Sequence, residues 1–88
     1  MTIYKDPNAR LDFAFDWSAW LEEDETIVSQ TFEVALGDVV VDADSELNGV
    51  VTVWLTGGTV GKAKVTCHIV TSVGREDDRT MSITVKER

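Results

Sequence analysis

The chain has 88 residues, a formal net charge of −8 and a hydrophobic fraction of 43%. This length corresponds to one small domain, and the composition is that of a folded globular protein rather than a disordered chain. The charge is uneven, because no lysine or arginine lies between Arg10 and Lys62, whereas that stretch holds eleven acidic residues. Such a surface repels a phosphate backbone, so we expect no nucleic-acid partner.

Two residue counts and the hydropathy of the chain exclude further classes. The single cysteine, Cys67, excludes an internal disulfide, and the single histidine, His68, excludes a histidine-rich metal site. No apolar run reaches the ~20 residues that a membrane helix needs. The first residues lack the apolar core of a secretory signal. We therefore expect no membrane partner.

The first ten residues are predicted to form an extended leader, followed by a single domain over residues 11–88. Residues 2–4 favour a very short edge strand, and Pro7 then breaks regular pairing because it lacks an N–H donor. An ordered leader has to lie against its own domain or against a partner, and a disordered terminus is the alternative.

In the stretch LDFAFDWSAWL, the spacing of the apolar residues changes in the middle from that of a strand to that of a helix. Residues 11–16 alternate between bulky apolar and polar or small side chains, which predicts a strand. Trp17, Trp20 and Leu21 then share one face at helical spacing, which predicts one short helical turn. Asp16 is placed to cap this turn. The two tryptophan rings either fill the end of the core or serve as docking anchors for a partner.

Four acidic residues, 22–25, follow the aromatic turn. Negative charge at the carboxyl end of a helix opposes the helix dipole, so we expect the turn to end near Leu21 and the acids to form a solvated loop. A cation site is the alternative, but the segment lacks the glycine turn and spaced oxygen ligands of a metal loop. We therefore expect no bound metal.

The rest of the chain reads as strands and turns. Alternating or β-branched residues predict five further strands, over residues 26–36, 39–41, 50–55, 62–72 and 79–86. Polar or glycine-rich segments between them predict loops or turns, at residues 42–46, 56–61 and 73–78. The glycine-rich connection lacks the Lys-Ser/Thr pair and the helix of a phosphate-binding loop, and no pattern predicts a cofactor. The last strand is predicted to lie close to a sheet edge.

The cysteine and the histidine are adjacent in sequence, but their side chains are expected to point to opposite faces of one strand. Cys67 alternates with apolar residues, so it is predicted to be a small buried hydrophobe. His68 points to the opposite face of the same strand, which excludes a Cys–His catalytic pair. The acid pair Asp77 and Asp78 is better explained as solvated turn residues than as a general base. We expect no catalytic residues and no enzyme activity.

Many short strands with frequent turn signals predict an all-β fold. The absence of helical patterns excludes parallel βαβ units, so the strands are expected to be antiparallel. Strands with one apolar face need two packed sheets to bury it. We predict an immunoglobulin-like β-sandwich of six to seven antiparallel strands with one short helical turn.

Five segments carry the most recognisable pattern: KDP near the start, LDFAFDWSAWL, the acidic loop with Thr26-Ile27, GVVTVWLTGGTVG and VTCHIVTSVGREDDRTMSITVKER. They resemble a family of small immunoglobulin-like tailed-phage proteins, the fiber-tail adaptor proteins. The resemblance covers nearly the whole chain, although residues 32–47 carry no motif of the family. None of the matching motifs is a catalytic signature.

The resemblance implies a virion component, made in the bacterial host cytoplasm, that links phage tail or baseplate proteins to fibers. It implies protein partners and several copies in a symmetric assembly, where one domain presents different patches to different neighbours. We hypothesise that one such partner patch includes Tyr4, Pro7, Leu11, Trp17 and Trp20. The alternative function is a carbohydrate- or cell-surface-binding module, with an exposed Trp54 or Trp20 as a stacking platform.

Overall fold

The computed structural model describes residues 3–87. It contains seven strands: β1 (Ile3–Lys5), β2 (Leu11–Asp16), β3 (Ile27–Leu36), β4 (Val40–Leu47), β5 (Val50–Thr56), β6 (Gly61–Thr71) and β7 (Glu76–Val85). The all-β class is therefore confirmed, and residues 3–87 include no helix. The predicted short edge strand exists as β1, while Thr2 lies outside the described residues.

The strands form two sheets. One has four strands in the order β1-β7-β6-β3, and the other has three in the order β2-β5-β4. The prediction that all strands are antiparallel is wrong for β1, which runs parallel to residues 83–85 of β7. A parallel neighbour needs a long connection, and here almost the whole chain lies between the two strands. The prediction that the last strand lies close to a sheet edge is confirmed, because only β1 lies outside β7 and it pairs with residues 83–85 alone. The immunoglobulin-like topology and the division of the chain at residue 10 stay predictions.

The core lies where alternate residues of both sheets face each other. The fully buried apolar residues of β5 and β6 follow the predicted alternation and are Val51, Val53, Leu55, Val65, Cys67 and Ile69. Ile83 and Val85 of β7 join the same cluster. The placement of Cys67 in the core is therefore confirmed.

The acidic segment 42–46 was predicted to be a loop but belongs to β4. This strand pairs with β5 on one side only and has an irregular register between Val41 and Ala43. An edge strand tolerates charged side chains, because they remain solvated and discourage pairing with other chains. The hairpin loop is likewise shorter than predicted, because β7 begins at Glu76.

The predicted helical turn after β2 is absent. The N–H groups of Trp20 and Leu21 donate to the carbonyl oxygen of Trp17 at 2.9 and 3.1 Å, which closes a single turn. The chain then reverses at Asp24, whose φ of 65° is left-handed, so helical hydrogen bonds do not accumulate. Asp16 does cap this turn, since its carboxylate accepts from the Ser18 N–H at 2.9 Å.

Two adjacent glycines between β5 and β6 provide a matched test of the packing. A Cβ added at Gly58 (φ +107°) would lie 2.9 Å from Val39 Cγ1 and 3.2 Å from Val85 Cγ2, whereas nothing lies within 4 Å of one added at Gly57. We expect Gly58→Ala to lower the free energy of unfolding by about 3 kcal/mol and Gly57→Ala by about 1 kcal/mol. Urea denaturation measures both, and equal losses would contradict this account of the packing.

Candidate partner interface

The connections between strands fall into two groups at opposite ends of the strands. We call one group the Gly58 end, which comprises residues 6–10, 37–39 and 57–60. The other is the Trp20 end, which comprises residues 17–26, 48–49 and 72–75. The molecule extends 42 Å along its longest axis and about half that distance across. Its two ends are therefore separate surfaces.

At the Trp20 end, two tryptophan rings touch each other and a guanidinium group covers each of them, an arrangement that we call the tryptophan–arginine stack. The Trp17 ring is fully buried and meets the Trp20 ring edge-on, with 5.5 Å between the ring centroids. The Arg79 guanidinium lies 4.2 Å from the Trp17 centroid, and the Arg75 guanidinium lies 4.0 Å from that of Trp20. The tryptophans follow β2 of the three-stranded sheet, whereas Arg79 lies in β7 and Arg75 in the β6–β7 connection of the four-stranded sheet. These cation–π contacts therefore join the two sheets.

Arg75 also neutralises a buried carboxylate. The Glu25 side chain is 1% exposed, and its Oε2 accepts a hydrogen bond of 2.9 Å from Arg75 Nε. A second Arg75 nitrogen donates to Glu25 Oε1 and to the carbonyl oxygen of Trp20. The hydrogen bonds from Arg75 lower the pKa of Glu25 to about 2. The prediction that all four acids form a solvated loop is therefore wrong for Glu25, while Glu22, Glu23 and Asp24 are exposed.

At the Gly58 end, a buried lysine side chain connects the two sheets. Lys5 is fully buried, and its Nζ donates hydrogen bonds to the carbonyl oxygens of Asp6 and Gly57. Burial lowers the pKa of Lys5 below its usual value. Lys5 thereby links β1 to the connection that follows β5 of the other sheet. The leader strand is thus tied to the domain by a side-chain contact as well as by backbone pairing.

The third tryptophan lies on β5 and is partly covered. The Arg10 guanidinium is 4.4 Å from the centroid of the Trp54 ring, and Arg10 Nε also pairs with Asp42 of β4. A guanidinium thus occupies one face of Trp54, as another does at Trp20. A sugar-stacking platform requires an accessible ring face, so these contacts do not favour the carbohydrate-binding alternative.

Exposed apolar side chains occur towards both ends. Towards the Gly58 end these residues are Tyr4, Leu11, Leu36, Val40 and Val60. Towards the Trp20 end they are Val28, Leu47 and Val73. Several are more than half exposed, Leu47 at 72% and Val73 at 66% among them. Apolar groups that the domain itself leaves uncovered are typical of surfaces that contact other proteins.

The five residues of the hypothetical partner patch are divided between these ends. Tyr4, Pro7 and Leu11 lie towards the Gly58 end, whereas Trp17 and Trp20 lie at the other end of β2. A six-residue strand separates the two groups by roughly 17 Å. They therefore do not form one continuous patch. Trp17 offers no surface to a partner, because its ring is fully buried.

Cys67, His68 and the carboxylates are the side chains that could take part in catalysis or hold a metal ion. Residues 3–87 contain no group of three or more side chains able to hold a metal ion. Burial raises the pKa of the Cys67 thiol to about 11, so the thiolate is disfavoured. His68, on the other face of β6, hydrogen-bonds Asp78 and Glu76 at 2.6 and 3.0 Å, and these contacts raise its pKa. Within residues 3–87, no helix is long and apolar enough to cross a membrane.

A small all-β domain with uncovered apolar side chains at two ends has the features of a protein-interaction module. The comparison with protein families gives the identity more closely. The model of the family described as Podophage GP4 fiber-tail adaptor protein gp77 matches residues 5–84, and the chain belongs to this family. The resemblance seen in the sequence motifs is thereby confirmed. No curated protein matches the chain.

The buried ion pair gives the stability of the domain a defined pH dependence. Because the pKa of Glu25 is about 2 in the folded chain and 4.5 ordinarily, its contribution is present above about pH 4.5 and is lost as the pH falls towards 2. We expect Glu25→Gln to lower the melting temperature at neutral pH and to flatten its decline in acid. Glu23→Gln, an exposed control from the same loop, should behave as wild type. Identical acid profiles for the Glu25 variant and wild type would contradict this assignment.

Proposed function

We propose that this chain is a non-enzymatic structural adaptor of a podophage tail, which links tail or baseplate proteins to fibers through protein–protein contacts. The family match over residues 5–84 carries this proposal, because the family is described as a fiber-tail adaptor. The corresponding location is the virion, after synthesis in the bacterial host cytoplasm. The separation of exposed apolar side chains towards two ends supports the linking role, since an adaptor needs at least two contact surfaces.

In this proposal the Gly58 end and the Trp20 end meet different neighbours. Each end is held rigid by the domain itself, through buried Lys5 at one end and the tryptophan–arginine stack at the other. Rigid contact surfaces lose little conformational entropy on binding. Several copies in a symmetric tail would present the same two surfaces repeatedly. The formal charge of −8 favours partners with basic contact surfaces and disfavours nucleic acid.

The two ends can be tested separately with apolar-to-serine pairs. Val40→Ser/Val60→Ser changes the Gly58 end, Leu47→Ser/Val73→Ser changes the Trp20 end, and Thr52→Ser in the middle of β5 is the control. All five positions lie outside the buried core, so the melting temperatures should stay close to wild type. Binding to phage particles assembled without this protein is measured first, and capture of fibers by the loaded particles second.

We expect one pair to weaken binding to the particles by about tenfold and the other to weaken fiber capture by a similar factor. If both pairs match wild type in both steps, the ends are not the contact surfaces. If the wild-type protein itself does not bind the particles, the adaptor proposal is wrong. A glycan array run with the same preparation then tests the surface-binding alternative.

A further inference from the structure

The outer edge of β7 is only partly covered. β1 pairs with residues 83–85 of β7, and no other strand within residues 3–87 pairs on that side. The stretch of β7 from Glu76 to Ser82 therefore pairs with β6 alone. It is exposed except at Met81, which is half-buried. An uncovered strand edge is a template for an additional strand.

The direction of the backbone groups on this edge follows from one hydrogen bond. The N–H of Lys86, immediately after β7, donates to the carbonyl oxygen of Lys5 at 2.8 Å, so the backbone of Lys86 faces β1. Strand residues two positions apart direct their backbone groups to the same side. β7 has no irregularity in its pairing with β6, so Ser82 and Thr80 direct their N–H and C=O groups outward. Asp78 has the same orientation, but its N–H already donates to Asp77 Oδ1 at 2.8 Å.

A groove runs beside this edge. It lies between β7 and β2, the edge strand of the other sheet, and has a volume of about 440 Å³. Ile3, Phe15 and Met81 give it apolar walls, while Arg79 and Asp16 add polar groups. Arg79 crosses the groove at one point, since its guanidinium donates to the carbonyl oxygen of Asp16 at 2.6 Å. The outer edge of β7 thus has unpaired backbone groups and, beside them, a groove with apolar walls.

We infer that an extended segment of a neighbouring tail protein adds to the outer edge of β7 and continues the line of β1. This inference rests on the adaptor function proposed above and identifies one of its contacts as strand addition. β1 already demonstrates the geometry, because it is itself a short strand added to the same edge. In this mode the main-chain hydrogen bonds supply affinity, and alternate side chains supply specificity.

The flanking side chains define the chemistry of the added segment. Met81 and Arg79 face the core side of the sheet, because their partners on β6 are buried Val65 and Cys67. Residues of the segment on that side are therefore apolar and fill the groove. Thr80 and Asp78 lie on the other face of the sheet. Side chains of the segment beside them are polar, and a basic one complements the acidic start of β7.

A proline at an outward position tests this contact. Thr80→Pro removes an outward N–H and places a ring in the path of an approaching strand, without removing a hydrogen bond between β7 and β6. Thr80→Val is the matched control, because both variants lose the hydroxyl that contacts Thr66 and only the proline alters the backbone. We expect Thr80→Pro to bind particles assembled without this protein about tenfold more weakly, with Thr80→Val close to wild type.

Hydrogen exchange of the wild-type protein provides a second readout that needs no variant. The amides of Thr80 and Ser82, which point away from β6, should exchange rapidly in the free protein and become protected in the particle-bound protein. If folded Thr80→Pro binds like wild type, the strand-addition inference is overturned while the adaptor function stands. If Thr80→Pro does not fold, protection of the Thr80 and Ser82 amides in the wild-type protein decides: its presence supports the inference and its absence overturns it. If the wild-type protein does not bind the particles, both proposals are wrong.

Discussion

The contacts of Arg75 are the constraint on which the arrangement of the two sheets most depends. Ladder hydrogen bonds run within each sheet, so the sheets are joined by core packing and a few side-chain contacts. Arg75 provides several of these at once, because one guanidinium pairs with Glu25, donates to the Trp20 carbonyl oxygen and covers the Trp20 ring. Loss of the guanidinium would leave a buried carboxylate without its counter-charge, which is far more costly than loss of an exposed ion pair.

This constraint also shapes the surface that the domain offers to other proteins. The Arg79 guanidinium covers the Trp17 ring, and the Arg75 guanidinium covers the Trp20 ring. The two rings therefore serve mainly to close the core at the Trp20 end. The side chains left uncovered are smaller aliphatic ones on the flanking strands and hairpins, such as Leu47 and Val73. The two tryptophans thus stabilise the Trp20 end, and the aliphatic residues around them form its exposed apolar surface. In the adaptor function proposed above, this division separates the residues that stabilise the fold from those that contact partners.

Local sequence patterns predicted the parts of the fold that depend on local alternation. The period of two in β6 identified its core face and placed Cys67 on it. The start of β4 was predicted, but its continuation beyond Val41 was missed because an edge strand can carry Asp42, Asp44 and Glu46, which resemble loop residues. The burial of Glu25 was missed because its partner, Arg75, lies 50 positions away in the sequence. A local sequence pattern cannot predict a contact between residues so far apart. The proposed patch was divided for a similar reason, since residues close in sequence lie at opposite ends of β2.

The pairing of β1 with β7 affects how the chain reaches its folded state. Ile3 is opposite Ile83, so the first strand cannot be placed until the last strand has been synthesised and has paired with β6. Closing a loop of almost the whole chain carries a large entropic cost, and non-local β pairing is slow to form. A nascent chain therefore holds the hydrophobic strands β5 and β6 without their full cover until β7 has been synthesised. The incomplete domain is consequently most prone to aggregation during its own synthesis, before any assembly partner is involved.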